Sequence, residues 1–395
     1  MLLLEAEEIQ QMETKTQMLE EASVKFSTEQ NKSFYNPAQS INRDLSVLAV
    51  LAFCSIYAKK AVKILDCTAA SGIRPIRYAK SLLSNGYQPK LVACELSQSV
   101  HSVLAKNILQ NNLQDHIEPR NVNSIEMLLA DKNEIYDIID VDPYGTVEPF
   151  ISAVLQRASK TSTLLCLTST DLRVLCKSQQ KECFRRYNSI VPVNHFPKEA
   201  ALRILLQYIN SLCIRLKLFM QPMFSLALEH YIRIIVTVSE SPKQSLNSVE
   251  NVGNLLYCSQ CKNFETDSFF KDSELKSQLK LPSSCSICGS AFRIGTPLWL
   301  GPLHDQCFLQ TSLDNLDNCI LENKDRSESI LKTLKYELPG VVLSYSIGEI
   351  CSFFHSSSIK LNKILAGIIN SGHRASFCLS DPDCIKTDTK YEKFV

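Results

Sequence analysis

The sequence predicts a doubly wound α/β fold, a mostly parallel sheet with one antiparallel strand, followed by a smaller α+β unit carrying a cysteine knuckle. Three observations predict it. Between residues 62 and 238, short apolar runs of strand length alternate with helical stretches, and the last two runs form a hairpin. Two early runs end in an acid, Asp66 and Glu95. Beyond residue 240, two Cys-x-x-Cys pairs mark a change of character.

The totals bound what these elements can be. The chain has 395 residues, 45% hydrophobic and 21% charged, the balance of a globular protein with two or three cores. Net charge is +1, so any basic surface for a polyanion must be local. Sixteen cysteines without a secretory signal suit a reducing compartment, where Cys is a small core residue or a metal ligand. The longest apolar run, Leu45 to Ala58, has 14 residues and cannot span a bilayer. The first 30 residues hold seven acids and two lysines, the wrong sign for a mitochondrial presequence.

Taken in order, residues 5–30 read as a polar helix or frayed arm. Phe34-Tyr35-Asn36-Pro37 reads as a turn, and the apolar run to Tyr57 as a buried helix capped by Asn42 or Asp44. Arg43 at the head of that helix must find a partner, and a ligand carboxylate is one candidate. Val62 to Asp66 is a strand, continued by the small-residue turn Cys67 to Gly72 and a helix with Arg74. Small residues let a ligand lie against backbone, and a helix N-terminus offers free N–H groups. Leu91 to Glu95 is the next strand; an acid there suits ribose hydroxyls, or else it only caps a helix. The third strand ends near Asn123 and Ser124.

The fourth strand, Ile135 to Ile139, runs into Asp140-Val141-Asp142-Pro143-Tyr144-Gly145. Proline ends the ladder and glycine permits a tight turn, so Asp142 and Tyr144 are held at the carboxyl edge of the sheet. A carboxylate beside an aromatic ring suits chemistry on an amino group attached to a flat ring; the plain alternative is an Asp-Pro turn. Leu164 to Asp171 is the fifth strand. Cys176 to Tyr187 reads as a basic helix with Lys177, Lys181, Arg185 and Arg186, and Pro197 opens a long helix to about Leu218. Met223–Leu228 and Tyr231–Val238 close the sheet.

Ser239 to Asn254 reads as a linker. Cys258, Cys261, Cys285 and Cys288 then form two Cys-x-x-Cys pairs with 23 residues between them. This is a tetrahedral zinc pattern, with a redox pair or four buried thiols as the alternative; four protein ligands leave no open position, so a zinc there reads as structural. His304 reads as structural. Leu313 to Ser329 reads as a linker. Ser346–Phe354 and Lys360–Ser371 read as helices and Arg374–Cys378 as a strand, together a winged-helix-like unit. The expected domains are an arm (1–32), a ligand-binding domain (33–240) and a carboxyl-terminal domain (241–395).

Phe34-Tyr35-Asn36-Pro37, Asn42-Arg43-Asp44, Ser71-Gly72-Ile73-Arg74, Asp142-Pro143-Tyr144-Gly145, Trp299-Leu-Gly-Pro-Leu and Ser371-Gly-His-Arg-Ala-Ser stand in the order found in one family. The chain resembles the tRNA guanine-26 N2-dimethyltransferases from about 33 to 390, and its tetracysteine insertion resembles the eukaryotic branch. The resemblance implies a Rossmann-like class I methyltransferase using S-adenosylmethionine and binding tRNA through the carboxyl-terminal domain. Arg43 would meet the methionine carboxylate. The turn from Asp66 through Gly72, with Arg74, would cradle the cofactor, Glu95 the ribose, and Asn123 and Ser124 the adenine. Asp142 would be the catalytic carboxylate, with Phe34 and Tyr144 sandwiching a flipped guanine. A monomer without membrane attachment, in nucleus or cytoplasm, is expected. The same fold acting on guanine N2 of rRNA or adenine N6 of DNA, and an inactive tRNA-binding module, are the alternatives.

Overall fold

Seven strands form the central sheet, and two further strands precede it as a hairpin, β1 (Met18–Glu21) and β2 (Val24–Ser27). In this computed structural model the described residues are 18–394 apart from 30–31, 131–132, 160, 177–178, 272–273, 276–280 and 358. Most of the expected amino-terminal arm and Lys177 lie outside them. Residues 18–27 are not the polar helix or arm read from the sequence. Val24 and Phe26 alternate inward and Glu21 is buried with them, a period-2 pattern hidden in a polar stretch.

The sheet comprises β3 (Ala61–Asp66), β4 (Gln88–Cys94), β5 (Ile117–Arg120), β6 (Ile138–Val141), β7 (Thr163–Ser169), β8 (Leu218–Leu228) and β9 (Tyr231–Glu240). Their order is β5-β4-β3-β6-β7-β9-β8. Only β9 runs against its neighbours, as expected. The chain reverses its direction of winding beside β3, so the crevice between the ends of β3, β4 and β6 is where such a sheet binds a ligand. Central strands are buried on both faces and therefore read as continuous apolar runs. Ile64, Ile138 and Leu164 pack with the Ser40–Ile56 helix on one side. Leu65, Ile139 and Leu165 pack with the Pro197–Arg215 helix on the other.

Several boundaries differ from the sequence reading. The first long helix starts at Ser40, so Asn42 and Asp44 lie inside it, fully buried, and cap nothing. Asn36 caps the short turn Pro37–Gln39 that leads into it, its side chain accepting from the Ala38 N–H at 3.0 Å. Residues 239–254 are not a linker: they hold a short helix, Pro242–Asn247, and the start of the strand Val252–Tyr257. Residues 313–329 are not one either. The helices Gln306–Asp314 and Lys324–Tyr336 place Phe308, Leu309 and Leu331 in the same core as the Ser40–Ile56 helix. Polar outer faces hid both.

The remaining carboxyl-terminal elements form two three-stranded sheets. One contains Val252–Tyr257 between Phe264–Ser268 and Arg293–Trp299. The other pairs Cys384–Thr387 with Tyr345–Ser346 and Ala375–Phe377, beside the helices Ile347–Phe353 and Leu361–Asn370. A buried ion cluster joins this half to the Pro197–Arg215 helix. Lys386 Nζ lies 3.0 Å from Glu199 and 2.9 Å from Glu337, and Arg203 grips Glu199 at 2.7 Å. Glu199, Glu337 and Cys378 have the spacing of a metal site, but the ammonium already supplies the cation.

Candidate active site

The turn Cys67 to Gly72 is built from small residues because backbone must come close to whatever fills the crevice. Gly72 has φ +85°, a left-handed conformation, and a Cβ there would stand 2.6 Å from Leu104 Cδ1. Both the dihedral and the space demand glycine. Above this turn lies a cavity of about 640 Å³. Phe34, Arg43, Arg74, Glu95, Asn123, Ser124, Asp142 and Tyr144 line it. The structure therefore brings together eight of the ten cavity residues named from the sequence. Asp66 and Gly72 stand behind the turn: Asp66 Oδ1 accepts from the Thr68 N–H at 3.0 Å and its Oδ2 has no hydrogen-bond partner among the described residues.

The floor is a buried polar network that the sequence reading missed. Asp140 accepts from Arg233 at 2.5 Å and from the Tyr78 hydroxyl at 2.6 Å. Burial alone would raise its carboxyl, but Arg233 and Arg74 overcome this and hold it below the ordinary range. Asp66 has no such cation in contact. Burial, with the Asp140 charge next to it, pushes Asp66 up to about 7. Arg74 donates to Asn42 Oδ1 at 3.1 Å, to Ser46 Oγ at 3.3 Å and to Asp142 Oδ2. Asp140 sits one residue before Val141 in the run to Asp142; its sheet-interior position was the signal available.

Asp142 is held from two sides. Its N–H donates to Thr68 Oγ1 at 3.0 Å, and Arg74 takes Oδ2. Among the described residues nothing bonds Oδ1, and the side chain is 23% exposed, so one carboxylate oxygen is left for a ligand. Tyr144 and Phe34 stand beside it, 75% and 55% exposed, with ring centroids 5.0 Å apart at 72°. A base between two parallel rings needs about 7 Å, twice a carbon–carbon contact of about 3.5 Å. The rings thus touch edge to face here, and one must swing to admit a base.

At the other end, Glu95 accepts from the Ser97 N–H at 2.8 Å, which aims its carboxylate along the β4 edge. Asn123 Oδ1 accepts from the Ile125 N–H at 3.0 Å and Ser124 opens the next helix. Arg43 is gripped by Glu21 through two bonds of 2.7 and 2.5 Å, and nothing in the sequence flagged that acid. The basic helix is shorter than read, Gln180–Tyr187, and Arg186 is spent on Glu182 and Asp171.

The four cysteines converge. Cys258 and Cys288 sulfurs are 3.5 Å apart, as are those of Cys261 and Cys285, and all four lie within 4.8 Å. A tetrahedron with zinc–sulfur bonds of about 2.3 Å has edges of about 3.8 Å. Lys262 and Gly289, just past each pair, have φ of +69° and +71°, which turns backbone N–H groups back toward Cys258 and Cys285 carbonyls. The donor set and the spacing fit zinc. His304 accepts from the Ser225 N–H at 3.3 Å and stays outside this cluster.

The sequence matches the family described as N2,N2-dimethylguanosine tRNA methyltransferase over residues 12–395. It is 29% identical to a tRNA (guanine(26)-N(2))-dimethyltransferase of Schizosaccharomyces pombe, covering 91% of this chain and 76% of that one. It is 29% identical to an enzyme of the same name from Methanosphaera stadtmanae, covering 86% and 84%. Trm1 from Pyrococcus horikoshii, solved with S-adenosyl-L-methionine, superposes with a TM-score of 0.81 at 22% identity over 96% of this chain and 98% of that one, so the fold is shared. The match spans almost the whole sequence and the relatives along most of their length: the chain belongs to the N2,N2-dimethylguanosine tRNA methyltransferase family.

Proposed function

We propose that this chain transfers two methyl groups from S-adenosylmethionine to the exocyclic N2 of guanine 26 in tRNA, giving N2,N2-dimethylguanosine. One observation carries the reading: a half-free carboxylate, Asp142 Oδ1, stands beside two exposed rings at the mouth of a cavity floored by a glycine turn. The cavity suits a cofactor with both a nucleoside and an amino-acid end. Glu95 lies where ribose hydroxyls would sit, Asn123 and Ser124 beside the adenine, and Arg43 and the 66–74 turn around the methionine part.

Bound S-adenosylmethionine supplies an electrophilic methyl group on a sulfonium. The residues do the rest. The guanine N2 lone pair is delocalised into the ring, so the amine attacks poorly unless oriented. Asp142 Oδ1 accepts an N2–H and fixes that orientation while Arg74 holds Oδ2. As the N–C bond forms and the methyl–sulfur bond breaks to leave a neutral thioether, Asp142 takes the proton that N2 releases. A base paired in tRNA must leave its stack to arrive, and Phe34 and Tyr144 give it two faces to stack on. After one transfer N2 keeps a single N–H, still sufficient for the same contact, so the same site serves the second once Asp142 has passed its proton to water and a fresh methyl donor has been bound.

The tetracysteine cluster would hold a structural zinc, with no open position for substrate. We place the enzyme in the nucleus or cytoplasm, as a monomer. For the compartment, the support is that none of the sixteen cysteines is in a disulfide. Among the described residues no helix is long and apolar enough to cross a membrane. The test is incubation with labelled S-adenosylmethionine and unmodified tRNA, followed by nucleoside analysis. N2,N2-dimethylguanosine that vanishes in Asp142→Ala is expected. Label in rRNA or DNA alone would move the substrate, and tRNA binding without any label would make the chain a binding module.

A further inference from the structure

Arg43 lines the cavity, but the group that orients it comes from outside the expected binding domain. Glu21, at the end of β1, is 1% exposed and accepts from Arg43 Nε at 2.7 Å and Nη2 at 2.5 Å. A two-point grip on a planar guanidinium fixes its plane as well as its position. Nη2 also donates to the Asn36 carbonyl at 3.1 Å, and the guanidinium carbon sits 5.2 Å from the Tyr35 ring centre. Arg43 Nη1 makes no hydrogen bond among the described residues. Three of five donors are thus committed, and one NH2 is left on a residue that lines the cavity.

Glu21 is itself held. Tyr35 donates its hydroxyl at 3.0 Å and Arg77 its Nη1 at 2.7 Å. Arg77 reaches on to Asp44, which accepts the backbone N–H groups of Glu322 and Asn323 at 3.1 and 2.7 Å. Glu322 returns to the hairpin, accepting from the Ala22 N–H at 2.8 Å. Arg43, Glu21, Arg77 and Asp44 are therefore paired in that order in a chain that ties together the hairpin, the Ser40–Ile56 helix, the Ile73–Ser84 helix and the segment before Lys324. Of the two arginines only Arg43 reaches the cavity.

We infer that Glu21 is a positioning residue of the cofactor site: it aims the free NH2 of Arg43 at the carboxylate of S-adenosylmethionine. This deepens the proposed reading and rests on it. A carboxylate that merely braced the hairpin would affect every ligand alike. One that aims Arg43 affects only ligands carrying the carboxylate.

Calorimetric titration of wild type and Glu21→Gln with S-adenosylmethionine and with its decarboxylated analogue separates the two. For Glu21→Gln, the Kd for S-adenosylmethionine should rise about tenfold or more, the worth of a hydrogen bond between charged groups. The Kd for the decarboxylated analogue should stay within about twofold of wild type. Tyr35→Phe frees Glu21 without leaving a buried charge unpaired. It should show the same selectivity at about threefold, and serves if Glu21→Gln does not fold. Equal losses for both ligands, or none for either, would overturn the inference. Wild type binding both ligands equally would also overturn it while leaving the methyltransferase reading intact. Wild type binding neither ligand would overturn both.

Discussion

Replacing Asp142 by asparagine changes one property of the site and almost nothing of its shape. The amide oxygen still accepts from Arg74, but the side chain can no longer take a proton. Arg74 keeps Asn42 at 3.1 Å, Ser46 at 3.3 Å and Asp140 at 3.7 Å, so its charge is not stranded. The cost to folding is the charge on the acceptor side of that hydrogen bond, at a partly exposed carboxylate, about 1–2 kcal/mol. In a protein of this size that lowers the melting temperature by roughly 2–4 °C. A general base is worth about 10²- to 10⁴-fold in rate. The assay is single-turnover methylation of tRNA, following mono- and dimethylguanosine separately, with the cofactor Kd measured beside it. Expected is a rate loss in that range with Kd unchanged. A loss under about tenfold would show that Asp142 only orients the amine. A rate loss matched by an equal loss of cofactor affinity would make it a binding residue.

Other perturbations follow from the same contacts. Gly72→Ala places a methyl 2.6 Å from Leu104 at a left-handed dihedral; thermal melts should show a loss of about 1–3 kcal/mol, with weaker cofactor binding in titration. Cys285→Ser, or prolonged chelation, should abolish stoichiometric zinc in elemental analysis and lower the melting temperature, since structural zinc contributes to folding. Asp66 has a folded pKa of about 7, raised above the unfolded value near 4, so its contribution is full below pH 4 and lost as pH rises through 7. Melting temperatures of wild type should therefore fall relative to Asp66→Asn between about pH 4 and 7; parallel profiles would refute the shift.

The edge of the sheet that lines the cavity was legible because side-chain type and backbone geometry coincide there in sequence. Asp142-Pro143-Tyr144-Gly145 couples a carboxylate and a ring to residues with fixed dihedral demands, and Gly72 sets the dihedral of the turn. Parallel strands announce themselves as unbroken apolar runs. Glu21 was not legible, since a lone acid in an acidic stretch acquires meaning only from Arg43 and Arg77, both distant in sequence. Leu313 to Ser329 was read as a linker although it holds the end of the Gln306–Asp314 helix and the start of the Lys324–Tyr336 helix, because one narrow apolar stripe suffices to dock on the Ser40–Ile56 helix and the remaining surface is polar. The edge-to-face closure of Phe34 on Tyr144 depends on rotamers, which composition cannot specify.

The ion cluster around Lys386 has a consequence for how this protein is made. Glu199 and Lys386 are 187 positions apart. At ribosomal speeds of about 5–20 residues per second, the lysine is added on the order of 10–40 s after the glutamate. Once Glu337 has been added, every residue of the central sheet already exists, yet Glu337 and Glu199 still lack the lysine they share, Glu199 keeping only Arg203. Leaving a buried carboxylate short of its partner costs about 3–5 kcal/mol, a large part of a domain's total stability. Chains that end between Glu337 and Lys386 would therefore contain every residue of the candidate site and still leave this cluster without its lysine, a difference that limited proteolysis of truncated chains would read.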